Sequence, residues 1–206
     1  MSIVTYNNRS IANISAIPGA AKSLTHIKTL TASGDSTLSF VDGSGGVVLD
    51  STYPIYIFKF IDLNPATDDK KFQFNLSTDG GSNYNVSKTT TFFRAYNAEN
   101  DSETAFGYFT GNDLANGTGV QVFTESAGNG SDESAVGELT LFNPSSTTFV
   151  KHFMSRTSTY YTADYAMDVF TAGYGNTTSA IDAIQFSVES GGNFDGTIKL
   201  YGIKDS

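Results

Sequence analysis

The 206-residue chain has no cysteine and no tryptophan, and only two histidines, three methionines and four prolines. Without cysteine, disulfide scaffolds and thiolate metal sites are excluded. Basic residues are also scarce. Lys and Arg number 12 against 21 Asp and Glu, a formal charge of −9, which argues against a phosphate-binding face and predicts no nucleic-acid partner. No apolar run approaches the ~18 residues of a spanning helix, so no membrane insertion is expected. The opening Met1-Ser2-Ile3-Val4-Thr5-Tyr6-Asn7-Asn8-Arg9 has no basic stretch followed by an apolar one, and so gives no secretory signal. Together with the missing cysteine, this suits synthesis in a reducing cytosol.

What is present is aromatic. Sixteen Phe and eleven Tyr in a chain only 16 % charged are the reverse of a disordered composition. The dominant pattern is alternation of period two between clusters of Gly, Asn, Asp and Ser, which is the signature of strands. Phe72, Phe74 and Leu76 alternate with Gln73, Asn75 and Ser77, and Ile184, Phe186 and Val188 with Gln185, Ser187 and Glu189. The run 55–61 is apolar on both faces except at Lys59, which predicts a central strand covered on both sides. Further strands are expected at 24–30, 37–41, 88–95, 136–142, 149–158, 165–174 and 197–203, about ten in all. The run 163–170 could make two helical turns, but Val169, Phe170 and Thr171 favour extended chain.

So many strands must close a barrel or stack as two sheets. Irregular loop lengths favour an all-β, jelly-roll-like antiparallel β-sandwich with Greek-key connections. The domain is predicted to span 21–206, preceded by an N-terminal arm at 1–20 that is either a disordered tail or orders against a neighbouring subunit. Tight turns are expected at 42–46, 78–83, 143–146 and 190–193, and a mobile surface loop at the Gly-rich tract 115–134. No internal repeat or heptad seam is visible.

Chemistry is sparse. Nucleophilic catalysis needs a histidine that reaches a serine. Neither His26 nor His152 lies in a Gly-x-Ser-x-Gly context, and each reads as a solvated strand histidine. They are too far apart in sequence for zinc-ligand spacing. The acidic loops Asp68-Asp69 and Glu99-Asn100-Asp101-Ser102-Glu103 do not match the twelve-residue calcium loop, so no cofactor or metal is expected. A glycosidase needs two carboxyls across a cleft. Glu138, beside Leu139 in an apolar strand, is the acid whose burial would single it out. Tyr160, Tyr161 and Tyr165 lie close in sequence, and Tyr84 and Tyr96 flank turns. These five are candidate interface or glycan-contact residues, with core or interface packing as the ordinary reading.

Four stretches carry a resemblance: Tyr56 to Asp69 (YIFKFIDLNPATDD), Thr91 to Tyr96 (TFFRAY), Leu141 to Phe153 (LFNPSSTTFVKHF) and Ile198 to Ile203 (IKLYGI). Together they resemble β-rich structural proteins of tailed bacteriophages, marine phages especially, over about residues 50–203. The resemblance implies a non-enzymatic virion component, made in the host cytoplasm: a head-decoration (capsid decoration), tail-fibre or tail-tip subunit. It would be a homo-oligomer in contact with other virion proteins, and the family pattern supplies no catalytic residues. With no coiled-coil or repeat shaft, a compact decoration or tip subunit is favoured over a fibre. The alternatives are a glycan-binding jelly roll used for adsorption to a host surface, and a hydrolase.

Overall fold

The computed structural model describes residues 24–204. The arm predicted at 1–20 lies outside the described residues. Twelve strands form, in chain order: β1 (Thr25–Asp35), β2 (Thr37–Val41), β3 (Ile55–Pro65), β4 (Phe72–Ser77), β5 (Lys88–Ala98), β6 (Thr104–Tyr108), β7 (Gln121–Val122), β8 (Ala135–Phe142), β9 (Lys151–Tyr161), β10 (Tyr165–Gly175), β11 (Ala183–Val188) and β12 (Phe194–Ile203). Among the described residues no helix is long and apolar enough to cross a membrane.

The strands make two antiparallel sheets, one ordered β1-β12-β3-β8-β9-β10-β5-β6 and the other β2-β11-β4-β7. The half β1-β12-β3-β8 faces the small sheet, and successive strands cross between layers in the jelly-roll manner. The pairs β5–β6 and β9–β10 are then two hairpin insertions. They dock side by side and extend the large sheet beyond β8.

The core is a phenylalanine layer between the sheets. Phe58 and Phe60 of β3 meet Phe186 of β11 at 5.3 and 5.4 Å between ring centroids. Phe153 of β9 meets Phe74 of β4 edge-on at 5.1 Å, and Phe194 of β12 meets Phe72 of β4 at 5.5 Å. These are the inward positions of the alternating strands, so the period-two pattern is the packing pattern.

The structure departs from the sequence pattern in four places. First, β3 runs four residues past Ile61, through a bulge. Asp62 has φ 51° and shifts the register, so that Leu63 and Pro65 return to the core side. Opposite it, Gly196 has φ 134°, and a Cβ there would sit 2.7 Å from the Asp62 carbonyl oxygen. Second, β3 buries only one face; Ile57 and Lys59 on the other are half-exposed. Third, β6 carries no buried residue at all, and an exposed edge strand has no reason to alternate. Fourth, the tract 115–134 is not a free surface loop. Gln121, Phe123, Thr124, Glu125, Ser126 and Ala127 are all buried, and Phe123 stacks on Phe60 with centroids 4.6 Å apart.

Candidate functional site

The segment 109–127 lines the inner side of the sheet extension and is held there by polar contacts. Thr90 Oγ1 donates to Gln121 Oε1 (2.6 Å), and the Leu114 N–H donates to Thr90 Oγ1 (2.8 Å). Thr157 Oγ1 donates to the Phe123 carbonyl (2.5 Å). Arg94 Nη1 pairs with the buried Glu125 carboxylate at 2.8 Å, and Asn112 Nδ2 also donates to that carboxylate at 3.2 Å. The Arg94 guanidinium lies 4.4 Å from the Phe109 ring centroid and 5.6 Å from that of Tyr96. One arginine therefore binds the covering segment to the sheet and forms one wall of a cleft.

That cleft, about 240 Å³, is lined by Arg94, Tyr96, Glu103, Tyr161, Tyr165 and Met167, with Ala163 at its rim. Three neighbouring strands supply the aromatics: Tyr96 from β5, Tyr165 from β10 and Tyr161 from β9. Tyr165 and Tyr161 are cross-strand partners. Their rings meet at 5.7 Å and 83°, and Tyr96 meets Tyr165 at 5.5 Å and 79°. Glu103, in the turn between β5 and β6, accepts from the Tyr96 hydroxyl at 2.6 Å and from the Tyr165 hydroxyl at 3.3 Å. The bond to Glu103 raises the Tyr96 phenol above its ordinary pKa; burial, and then the Glu103 charge, do the same for Tyr165. A second depression of about 170 Å³ adjoins the first through Tyr165 and Ala163, and is lined by Glu99, Asn100, Ser102 and Asp164.

Of the five tyrosines singled out in the sequence, three thus come together. Tyr160 points to the other side of the hairpin, where its hydroxyl donates to Asp164 Oδ1 (3.1 Å); partial burial, and then that aspartate, push its pKa up to about 12. Tyr84 lies before the start of β5, at the end opposite Tyr96. Glu103 belongs to the acidic loop 99–103 and Arg94 to the TFFRAY stretch already named in the sequence, but nothing there tied either to the tyrosines, because the pairing of β5 with β10 brings them together; Glu125 carried no sequence signal.

The other candidates fall elsewhere. His26 and His152 are exposed on β1 and β9, with β12, β3 and β8 between them. His26 bonds to Thr29 and packs edge-on against Tyr201. Glu138 is not buried: its side chain is 42 % exposed and is paired with Lys59. Asp68 accepts from Thr162 Oγ1 at 2.8 Å. Among the described residues no three His, Asp or Glu side chains are placed to hold a metal.

The outer face of the large sheet has a different character. One cross-strand row runs Tyr108–Phe93–Phe170–Arg156–Glu138–Lys59–Lys199 across seven strands. Its β6 end is aromatic. Phe93 and Phe170 stack with centroids 4.9 Å apart and 6° from parallel, and Phe106 meets Phe93 edge-on at 5.6 Å. Phe106 is 73 % exposed, Met154 59 % and Tyr108 52 %. Beside this row lies an apolar trough of about 510 Å³ over Ala172, flanked by Phe142, His152, Met154 and Tyr174.

No protein-family model matches the chain, and no curated protein matches it. Among solved structures, the CBM2 module of the evolved Dit of Lactobacillus casei BL23 phage J-1 aligns with 82 % of this chain and 69 % of its own, at 11 % identity and a TM-score of 0.24. A chain of infectious bursal disease virus, Gt strain, aligns over 100 % of this chain and 47 % of its own, at 11 % identity and a TM-score of 0.15. A chain of the Gx strain aligns over 90 % and 42 %, at 12 % identity and 0.16. TM-scores this low carry no argument about this chain.

Proposed function

We propose that the chain is a non-enzymatic structural component of a tailed-bacteriophage virion, a head-decoration or tail-tip subunit. In this reading it acts through contacts with copies of itself and with other virion proteins. The observation that carries the reading is the exposed aromatic end of the outer face: Phe106, Tyr108 and the stacked pair Phe93–Phe170 on β6, the edge strand of the large sheet among the described residues, and its neighbours. Contiguous exposed apolar surface marks a partner site, and an open edge strand invites strand addition. The charged end of the same row, Arg156, Glu138, Lys59 and Lys199, fits the polar rim of such an interface. The segments that resemble phage structural proteins support the same reading, since they fall on β3, β5, β8–β9 and β12, all in the large sheet. A net charge of −9 would keep free subunits apart before assembly.

The test is amine cross-linking of purified phage particles followed by peptide mass spectrometry. The chain should be found in the particle at many copies, with cross-links from Lys59 and Lys199 to a second copy or to another virion protein. Its absence from particles would overturn the reading.

A further inference from the structure

The two adjoining depressions around Tyr165 lie at the turn ends of β5, β9 and β10 and share no lining residue with the aromatic row Phe106, Tyr108, Phe93 and Phe170. Their chemistry is amphipathic and divided. One side offers three tyrosine rings and Met167. The other offers the amide and hydroxyl of Asn100 and Ser102 and the carboxylates of Glu99 and Asp164. The charge count is also specific. Arg94 is neutralised by Glu125, whereas Glu103 meets only tyrosine hydroxyls; the three ion pairs among the described residues do not include it. A carboxylate has about four lone-pair sites, so two remain on Glu103 for a ligand. Tyr161 lines the same cleft, and its hydroxyl has no hydrogen-bond partner among the described residues.

We propose that these two depressions bind a neutral disaccharide. One pyranose ring would lie against the tyrosines with hydroxyls on Glu103 and Tyr161, and the second would sit across Tyr165 on Asn100 and Ser102. A sugar ring is itself divided, with C–H faces and hydroxyl edges, and matches a cleft that pairs aromatic walls with convergent acceptors. A small cation would suit Glu103 and the rings but would leave the polar depression unused. The unneutralised Glu103 in the first depression, and Glu99 and Asp164 in the second, set the specificity. An acidic sugar would bring like charges together, and such juxtaposition discriminates strongly. The site stands independently of the virion reading, because it rests on the cleft alone.

The test is a titration of the full chain, followed by ¹H–¹⁵N chemical shifts, with lactose, maltose, cellobiose, N,N′-diacetylchitobiose and digalacturonic acid. At least one neutral disaccharide should shift the signals of Tyr96, Tyr161 and Tyr165 with millimolar affinity, and digalacturonic acid should bind at least about tenfold more weakly. Tyr165→Ala should abolish the shifts, with Tyr84→Ala as a distant control that keeps them. Should Tyr165→Ala fail to fold, Glu103→Gln keeps the volume and should weaken binding about tenfold. No shift at these tyrosines with any neutral disaccharide, shifts that survive in both variants, or preference for digalacturonic acid would each overturn the proposal.

Discussion

Phe170 and Arg156 are cross-strand partners on β10 and β9, and the Arg156 guanidinium lies 4.8 Å from the centroid of the Phe170 ring. Asp168 holds the guanidinium with two bonds, 3.1 Å from Nε and 2.7 Å from Nη2. At this pair the outer face changes character, from stacked aromatics toward β6 to the charged run Arg156, Glu138, Lys59 and Lys199 toward β1. An arginine held over an aromatic ring covers part of the ring while leaving charge at the surface.

Arg156→Ala should therefore leave folding alone and alter association. The pair is solvent-exposed, and exposed ion pairs add little to stability, so the urea midpoint should be unchanged. Self-association measured by sedimentation should become less dependent on salt.

The ion pair of Arg94 with Glu125 behaves oppositely. Glu125 is buried, so Glu125→Gln leaves Arg94 without its counter-charge in a low-dielectric site. A loss of about 3 kcal/mol in urea unfolding is expected. The same change should loosen segment 109–127, read as faster amide exchange at Gln121 and Phe123 than in the native chain.

Lys88 is fully buried, its ammonium donating to the Val86 carbonyl (2.7 Å) and to Asn75 Oδ1, with no carboxylate partner among the described residues. Burial pushes its pKa down from 10.5 to about 8. Between pH 8 and 10.5 the unfolded chain holds a proton at this lysine that the folded chain has released. Stability from this group thus rises with pH through that window, and below it the buried charge costs about 3 kcal/mol. Lys151, on the other side of Gly175, is displaced downward by burial too. Lys88→Met should remove the Lys88 part of the rise, so the stability difference between variant and parent should shift in the parent's favour as pH increases from 8 to 10.5. A difference that is flat with pH would show that Lys88 does not titrate in that range.

Gly196→Ala tests the bulge that lengthens β3. The alanine methyl would meet the Asp62 carbonyl at 2.7 Å, in a backbone conformation with φ 134°. A cost of about 2 kcal/mol is expected in thermal or urea unfolding. Gly107→Ala, where nothing lies within 4 Å of the added methyl, is the control.

The strands with one face on the core were legible in the sequence because burial imposes period two. Phe72, Phe74, Leu76, Ile184, Phe186 and Val188 are all buried, as their alternation predicts. What escaped had a physical reason each time. The bulge at Asp62 inserts one residue and reverses the parity that marks a strand. β6 has no buried face to print a pattern. The tract 121–127 looked like a loop because glycines flank it, yet Phe123 fills the core and Gln121, Thr124 and Glu125 are held by side-chain hydrogen bonds. The site was half legible. Tyr161 and Tyr165 were named by proximity, but their meeting with Tyr96, Glu103 and Arg94 depends on which strands become neighbours, and that is set by the docking of two hairpins distant in the chain.

The central claim is that the aromatic end of the outer face, at the β6 edge, is a contact surface between subunits. Sedimentation velocity on the full chain at tens of micromolar, beside a Phe106→Ser, Tyr108→Ser double variant, tests it most directly. The native chain should sediment as an oligomer. The variant, both of whose changes fall on exposed side chains, should sediment as a folded monomer with an unchanged melting curve. A native chain that remains monomeric, or a variant that associates as well as its parent, contradicts the claim.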